Sequence, residues 1–337
     1  MLKRIFLFTA LLATLAAISQ ASHAARKYPT RPITNTVVWG AGGGTDAVNR
    51  MLMAEMSKIL GVRINVTNKT GGVAGSIGMS QVLKKRPDGY NLVGISSSNV
   101  TASVNGGWRE RFNVWSPFIF GGSPEVISVR ANSPYKTLDD LIKAAKAKPG
   151  SIKVSASGAG GIHHLYLLEL AKATGTKFQF IPYPGSAPSQ NAAVTGEVDV
   201  VITSMAEQAQ LIKGKKIRPL GMLDPNDFHL KGYGVIKSTF PSYPSLNKNL
   251  PIPQAIGFAV NNKATEAVKQ KLASAFEEAL TKPAVKKWAE DNFYVITGEH
   301  GEEARKEFDR FESFFSWALY DLGSTKESPE KFSIAKP

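Results

Sequence analysis

Two periods of apolar residues recur along the chain. Residues 33–39 form a short run rich in apolar and β-branched residues that ends at Trp39. Residues 45–60 then place Val48, Met51, Leu52, Met56, Ile59 and Leu60 at helical spacing, with Asn49, Arg50 and Lys58 on the polar side. The pattern predicts a strand followed by an amphipathic helix that stops at Gly61. Between them lie Gly40, Ala41, Gly42, Gly43 and Gly44. Without Cβ atoms in the way, the backbone N–H groups of such a loop can approach a ligand closely. The start of the following helix adds its positive end, which suits a carboxylate or a phosphate. A bland reading, a tight connection with no ligand, fits the loop alone equally well.

The alternation continues. Residues 62–67 alternate as a strand with one dry face, residues 68–75 form a second glycine-rich loop, a helix runs to about residue 85, and residues 91–95 form a third strand. It ends in a hydroxyl-rich loop, Ser96, Ser97, Ser98 and Asn99. Strand–helix alternation predicts an α/β fold with a parallel sheet. Ligands of such sheets bind beyond the carboxyl ends of the strands, which puts loops 40–44 and 96–98 on one edge. Residues 118–129 lead out of this unit, and Thr137 caps a helix that Pro149 and Gly150 end. The opening design then repeats: strand 152–156, loop 157–161 and a helix entered through His163 and His164. Strand 178–181, the rigid turn 182–188, a helix to Gly196, strand 198–202, and a final helix and strand 217–222 complete the second unit. Residues 224–253 read as a long irregular connection. Residues 255–260 read as a returning strand, followed by helices over 265–280, 283–292 and 302–322. The aromatic residues at helical spacing in the last helix read as core. Two similar units joined by two crossings make a cleft with one anion-receptive helix start on each wall. The expected division is residues 25–127 with 226–322 as one domain, 128–225 as the second, and 323–337 as a flexible tail.

The first residues change the picture of where the protein works. Lys3 and Arg4 precede an apolar stretch over 5–18, and Ser22-His23-Ala24 supplies small residues, Ser22 and Ala24, at both positions that a signal peptidase reads, so 1–24 reads as an export signal cut after Ala24. The stretch is too short to span a bilayer comfortably. In a Gram-negative cell the expected location is the periplasm. Loss of Lys3 and Arg4 lowers the formal net charge from +14 to +12. The basic residues are scattered, without the aromatic interleaving that stacks bases, so nucleic acid is not an expected partner. With no cysteine, a disulfide scaffold, a thiolate metal site, a cysteine nucleophile and a lipoprotein anchor are excluded. Five histidines, two adjacent and the rest dispersed, give no metal-ligand spacing, and no cofactor is expected. Thr45 and Asp46 follow the first loop where a Walker motif needs Lys-Ser/Thr, and no acid occurs between Val62 and Lys69 where a dinucleotide fold needs one.

Taken in order, Tyr28 to Ile33, Gly42 to Asp46, Asn68 to Gly72, Pro87 to Tyr90, Gly158 to His164, Pro182 to Pro188, Gly196 to Asp199 and Ile212 to Leu220 resemble the Bug receptors, the solute-binding proteins of tripartite tricarboxylate transporters. The resemblance runs from residue 28 to 322 and implies a two-domain periplasmic binding protein of type II (Venus flytrap), not an enzyme, that closes on a carboxylate. It implies that backbone N–H groups, hydroxyls and waters hold one carboxylate between two loops, and that a monomer delivers it to a membrane permease. Carried onto this sequence, the first loop contributes Trp39, Ala41, Gly42, Gly43, Gly44, Thr45 and Asp46, and the second Gly160, Gly161 and His164. Ser97, Ser98, Tyr183, Pro184, Gly185 and Thr203 line the rest. Asp46 has an ordinary alternative as compensation of the helix dipole. Three positions depart from the family: Val38 replaces a common proline, Gly161 a common serine, and Thr203 an aspartate of amino-acid-binding members. The ligand class implied is a di- or tricarboxylate, or an aromatic carboxylate walled by Trp39 and Tyr183. The rival readings are an exported hydrolase using Ser157 and His164, and a sensor for a membrane signalling partner.

Overall fold

The alternation in the first predicted strand becomes β1 (Ile33–Val37), whose Ile33, Asn35 and Val37 are buried while Thr34 and Thr36 are half-buried. The computed structural model describes residues 28–337, so the expected export signal and its cleavage point lie outside the described residues. After β1 come α1 (Gly44–Leu60), β2 (Ile64–Asn68), α2 (Ser76–Leu83) and β3 (Asn91–Ser96). The hydroxyl-rich loop is a 3-10 turn, Ser97–Thr101, started by Ser96 and Asn99 in a reciprocal cap. β4 (Trp115–Gly122) then leads, across Ser123 and Pro124, into β5 (Glu125–Arg130) of the second domain.

The second domain continues with α3 (Leu138–Ala147), β6 (Lys153–Ser157), α4 (Ile162–Thr174), β7 (Gln179–Tyr183), α5 (Ser186–Thr195), β8 (Val200–Ser204), α6 (Met205–Lys213) and β9 (Ile217–Met222). The connection expected to be irregular contains a small hairpin, β10 (Phe228–Leu230) with β11 (Gly234–Ile236). The chain returns through β12 (Ile256–Asn261), then α7 (Glu266–Thr281), α8 (Pro283–Asp291), β13 (Val295–Ile296) and α9 (Gly301–Asp321).

The first sheet has the order β13-β4-β12-β3-β1-β2 and the second β7-β6-β8-β5-β9. Both are mixed rather than purely parallel. β1 pairs in parallel with β2 and β3, and β6 with β7 and β8. The strands that arrive from the other domain, β5 and β12, have no crossover helix to turn them and lie antiparallel to their neighbours. The first crossing falls at Ser123 and Pro124, so Glu125, Val126 and Ile127 belong to the second sheet and not to the first domain.

α1 packs Leu52, Met53 and Met56 against Leu272 and Phe276 of α7 on one face of the first sheet. Asn49, expected on the polar side of α1, is fully buried. Asn35 donates to its Oδ1 at 2.7 Å, and its own amide donates to the carbonyls of Thr45 and Gly257 at 2.8 Å. A buried amide with these partners ties β1, α1 and β12 together, because leaving it unpaired would cost about 1–3 kcal/mol. α9 buries Phe308, Phe311 and Phe315 in an apolar cluster that also holds Leu165 and Tyr166 of α4. The last residues, expected to be loose, are packed on α9: Ile334 is buried, and Trp317 Nε1 donates to the carbonyls of Ile334 and Ala335 at 3.1 and 3.0 Å. No helix among the described residues is long and apolar enough to cross a membrane.

Candidate functional site

The two glycine loops are built alike. In the first, Gly42 has φ +80° and Gly43 is the extended residue that starts α1, at φ −80°, ψ 171°. In the second, Gly160 has φ +73° and Gly161 starts α4 at φ −80°, ψ 176°. Both positive-φ positions favour glycine because a Cβ would crowd the backbone. Four residues past each, a side chain folds back onto the loop. Gly42 N–H donates to Asp46 Oδ2 at 3.0 Å, and Gly160 N–H donates to His164 Nδ1 at 3.1 Å.

The braces differ in charge. Asp46 also accepts from Asn68 Nδ2 at 2.8 Å and Arg50 Nε at 3.0 Å. Burial pushes its carboxyl up, but the bonds from Arg50, Gly42 and Asn68 outweigh this and hold it below the usual carboxylate range. His164 stacks on Phe180 with ring centres 3.9 Å apart, and burial pushes its pKa down to about 4. It is a neutral acceptor at pH 7 and a poor general base, and Ser157 makes no hydrogen bond to it among the described residues.

The domains meet over these loops. Gly40 N–H donates to the carbonyl of Pro184 at 2.9 Å. Thr101 Oγ1 donates to the carbonyl of Gly160 at 2.9 Å. Each helix start is capped from the opposite side: Gly44 N–H of α1 donates to Glu207 Oε1 at 2.8 Å, and Ile162 N–H of α4 donates to Ser98 Oγ at 3.0 Å. The cavity that remains is about 20 Å³, lined by Trp39, Gly43, Gly44, Thr45, Ser96, Ser98, Ser157, Ile162, His163, Gly185, Ser186, Glu207, Gln254 and Ile256. That is room for about one water. Among the described residues, Trp39 Nε1 is buried without a partner. The cleft is therefore closed.

Of the residues expected in the site, Trp39, Gly43, Gly44, Thr45, Ser98 and Gly185 line the cavity. Ala41 and Gly42 are exposed, and Gly161 sits at the α4 start where a Cβ would lie 3.0 Å from Ser98 Oγ. Pro184 contributes its carbonyl to closure. Ser97 pairs with Ala255 of the returning crossover, its N–H donating to that carbonyl at 2.7 Å. Asp46, Gly160 and His164 shape loops and are not among the cavity's lining residues. Tyr183 turns its hydroxyl to Glu197 Oε1 at 2.7 Å. Thr203 is fully buried behind the cleft, where Gln190 and Gln208 donate to its Oγ1 at 3.0 and 3.1 Å.

Sequence reasoning missed Glu207 and Gln254, and it placed His163 at the entry of the second loop's helix without a partner. Glu207 follows Ser204 by three residues before an apolar run, the signature of a capping box, and the structure contains that box. That the same carboxylate also caps α1 leaves no trace in local sequence. His163 Nδ1 lies 2.8 Å from Glu125 Oε2, and its Nε2 lies 3.8 Å from Glu207 Oε2. Burial pushes the His163 pKa down, but Glu125 and Glu207 outweigh it and raise it.

Two α/β domains joined by two crossings, closed over a cleft lined by helix starts, define a periplasmic binding protein. The model of the tripartite tricarboxylate transporter family receptor matches residues 48–306, and the chain belongs to this TctC family. It is 33% identical over 284 residues to a UPF0065 protein of Cupriavidus necator, covering 82% of each chain. With a UPF0065 protein of a Pseudomonas strain it shares 32% over 201 residues, spanning 58% of this chain and 59% of that one. The fold matches the binding protein BugD at a TM-score of 0.80 and 24% identity, covering 88% of this chain and 99% of BugD. It also matches MatC of Rhodopseudomonas palustris with bound malate, at a TM-score of 0.76 and 20% identity, covering 86% and 100%. An R. palustris protein with adipate matches at 0.78 and 19%, covering 89% and 99%. Proteins of this family and its structural neighbours are solute-binding proteins, not enzymes.

Proposed function

We propose that this protein is a periplasmic receptor that captures a small organic carboxylate between its domains and hands it to the membrane subunits of a tripartite tricarboxylate-type transporter. Backbone N–H groups of the two glycine loops, hydroxyls and waters hold the carboxylate. The observation that carries this reading is the pair of helix starts, α1 and α4, brought together at a cleft that no lysine or arginine among the described residues lines. Such an arrangement binds an anion through aligned dipoles without a buried salt bridge. The malate and adipate of the two Rhodopseudomonas proteins agree with a carboxylate ligand.

Gly185 offers the test. It is extended, with φ 165°, so alanine fits its backbone, yet a Cβ there would lie 2.8 Å from the backbone nitrogen of Gly40 in the closed form. A thermal-shift and calorimetric screen of carboxylates against the purified protein should find a stabiliser that is recovered unchanged. A ligand at a hundred times its dissociation constant adds about 2.7 kcal/mol of stability. Gly185→Ala should weaken that ligand at least tenfold (about 1.4 kcal/mol) with little change in the melting temperature measured without it. Stabilisation by neutral sugars alone, or chemical turnover of the carboxylate, would overturn the proposal.

A further inference from the structure

We infer that Glu207 is a specificity-determining residue of the cleft, a resident carboxylate that selects ligands with one carboxylate and, at the far end, a hydroxyl or protonated amine, and rejects those with a second carboxylate there. The inference rests on the carboxylate-receptor reading above and narrows it: of the two loops, the one that starts α4 takes the carboxylate, and the one that starts α1 meets the ligand's other end.

Glu207 is fixed by its own domain. Its Oε2 accepts from Ser204 N–H at 3.1 Å and Ser204 Oγ at 3.0 Å, both at the start of α6, and its side chain is only 5% exposed. These bonds do not depend on the other domain, so they hold the carboxylate in the open form as well. Its second oxygen, Oε1, meets Gly44 N–H at 2.8 Å when the domains close. The first turn of α1 therefore already has its anion.

A ligand carboxylate brought to the same turn would lie against a like charge in a site closed to water. Nothing nearby neutralises it. Among the described residues no lysine or arginine lines the cavity, and of the two rings beside Glu207, His163 is shared with Glu125 and Tyr294 brings only a hydroxyl. The ring bonds Glu125 through Nδ1 at 2.8 Å and reaches Glu207 with its Nε2 only at 3.8 Å, so it has no nitrogen left to serve a ligand carboxylate as well.

The α4 end is different. Its cap is the neutral hydroxyl of Ser98, which a ligand carboxylate can replace or join without repulsion. Ser157 and Ser186 line the same cavity, and the buried Trp39 Nε1–H, which has no partner among the described residues, is a further donor for an anion. The geometry orients the ligand with its carboxylate toward α4 and a donor toward Glu207.

The experiment compares matched ligands by calorimetry on the purified protein. One series is butanoate, 4-hydroxybutanoate, 4-aminobutanoate and succinate. The other is benzoate, 4-hydroxybenzoate, 4-(aminomethyl)benzoate and terephthalate. In at least one series the hydroxy or amino acid should bind tenfold or more tightly than the diacid. Glu207→Gln, which keeps an acceptor for Gly44, should shrink that ratio at least tenfold, with the diacid gaining. Glu207→Asp, which keeps the charge, should retain the order and controls for damage to the α6 cap. A wild-type protein that binds the diacid as well as or better than its hydroxy and amino partners would overturn the inference and leave the receptor reading standing. So would a ratio unchanged in Glu207→Gln. If no carboxylate of either series binds, the carboxylate reading itself falls and takes the inference with it.

Discussion

The loops that start α1 and α4 share backbone geometry to within a few degrees at the helix-starting glycine, yet one is held by charge and the other by neutral groups. At α1 the brace is Asp46 and the cross-domain cap is Glu207. At α4 the brace is His164 and the cap is Ser98. A helix start offers the same N–H groups in both places, so the backbone alone would make two equivalent anion sites. The side chains break that equivalence, filling one site with a fixed negative charge and leaving the other with a weak, replaceable acceptor.

Acid should separate the two loops, and by the largest margin. His164 has a pKa of about 4 in the folded protein against an ordinary 6.5. Its contribution to stability is complete above pH 6.5 and is lost as pH falls toward 4, a total of about 3 kcal/mol. Urea unfolding of the wild type should show this slope. His164→Asn, whose side-chain oxygen can still accept from Gly160, should lack it. The Asp46 brace behaves differently. Its carboxyl is held below its ordinary value of 3.8, so its contribution is present above that pH and is lost only below it. Asp46→Asn should cost about 2 kcal/mol at pH 7, the scale of hydrogen bonds to a charged acceptor, and the cost should persist at pH 5. Amide exchange followed at pH 5 should find Gly160 opening before Gly42, and the reverse order would break the comparison. The smallest effect belongs to the neutral cap. Ser98→Ala should cost about 1 kcal/mol in denaturant unfolding, as loss of a helix cap does, with little dependence on salt.

What the sequence reveals follows from what is local. Strand, glycine loop and helix start are contiguous at residues 33–60 and again at 152–174, so period and punctuation were enough to place both. The caps across the cleft join residues 163 and 64 positions apart, and no window on the chain contains both partners. Thr203 and Asp46 have the right chemistry for a ligand, but each spends its polar atoms on its own domain. Asn49 was misplaced because a polar residue on a helix reads as exposed until its partner, Asn35 on the neighbouring strand, is known. The strands of the β10–β11 hairpin are only three residues long, too short for alternation to show. The final segment looks loose by its charge, while its packing depends on the buried Pro329 and Ile334 and on the indole of Trp317.

The absence of lysine and arginine from the cleft lining among the described residues, in a chain of formal net charge +14, would separate the rate of capture from the strength of grip. An anion approaching from solution feels the field of the scattered basic surface, which salt screens over roughly 10 Å at 0.1 M. Once enclosed as proposed, it would be held by dipoles and hydroxyls shielded from mobile ions. Rising ionic strength should therefore slow association and leave the dissociation rate almost unchanged. A receptor of this design would keep its residence time while its capture rate varied with the salinity outside the cell.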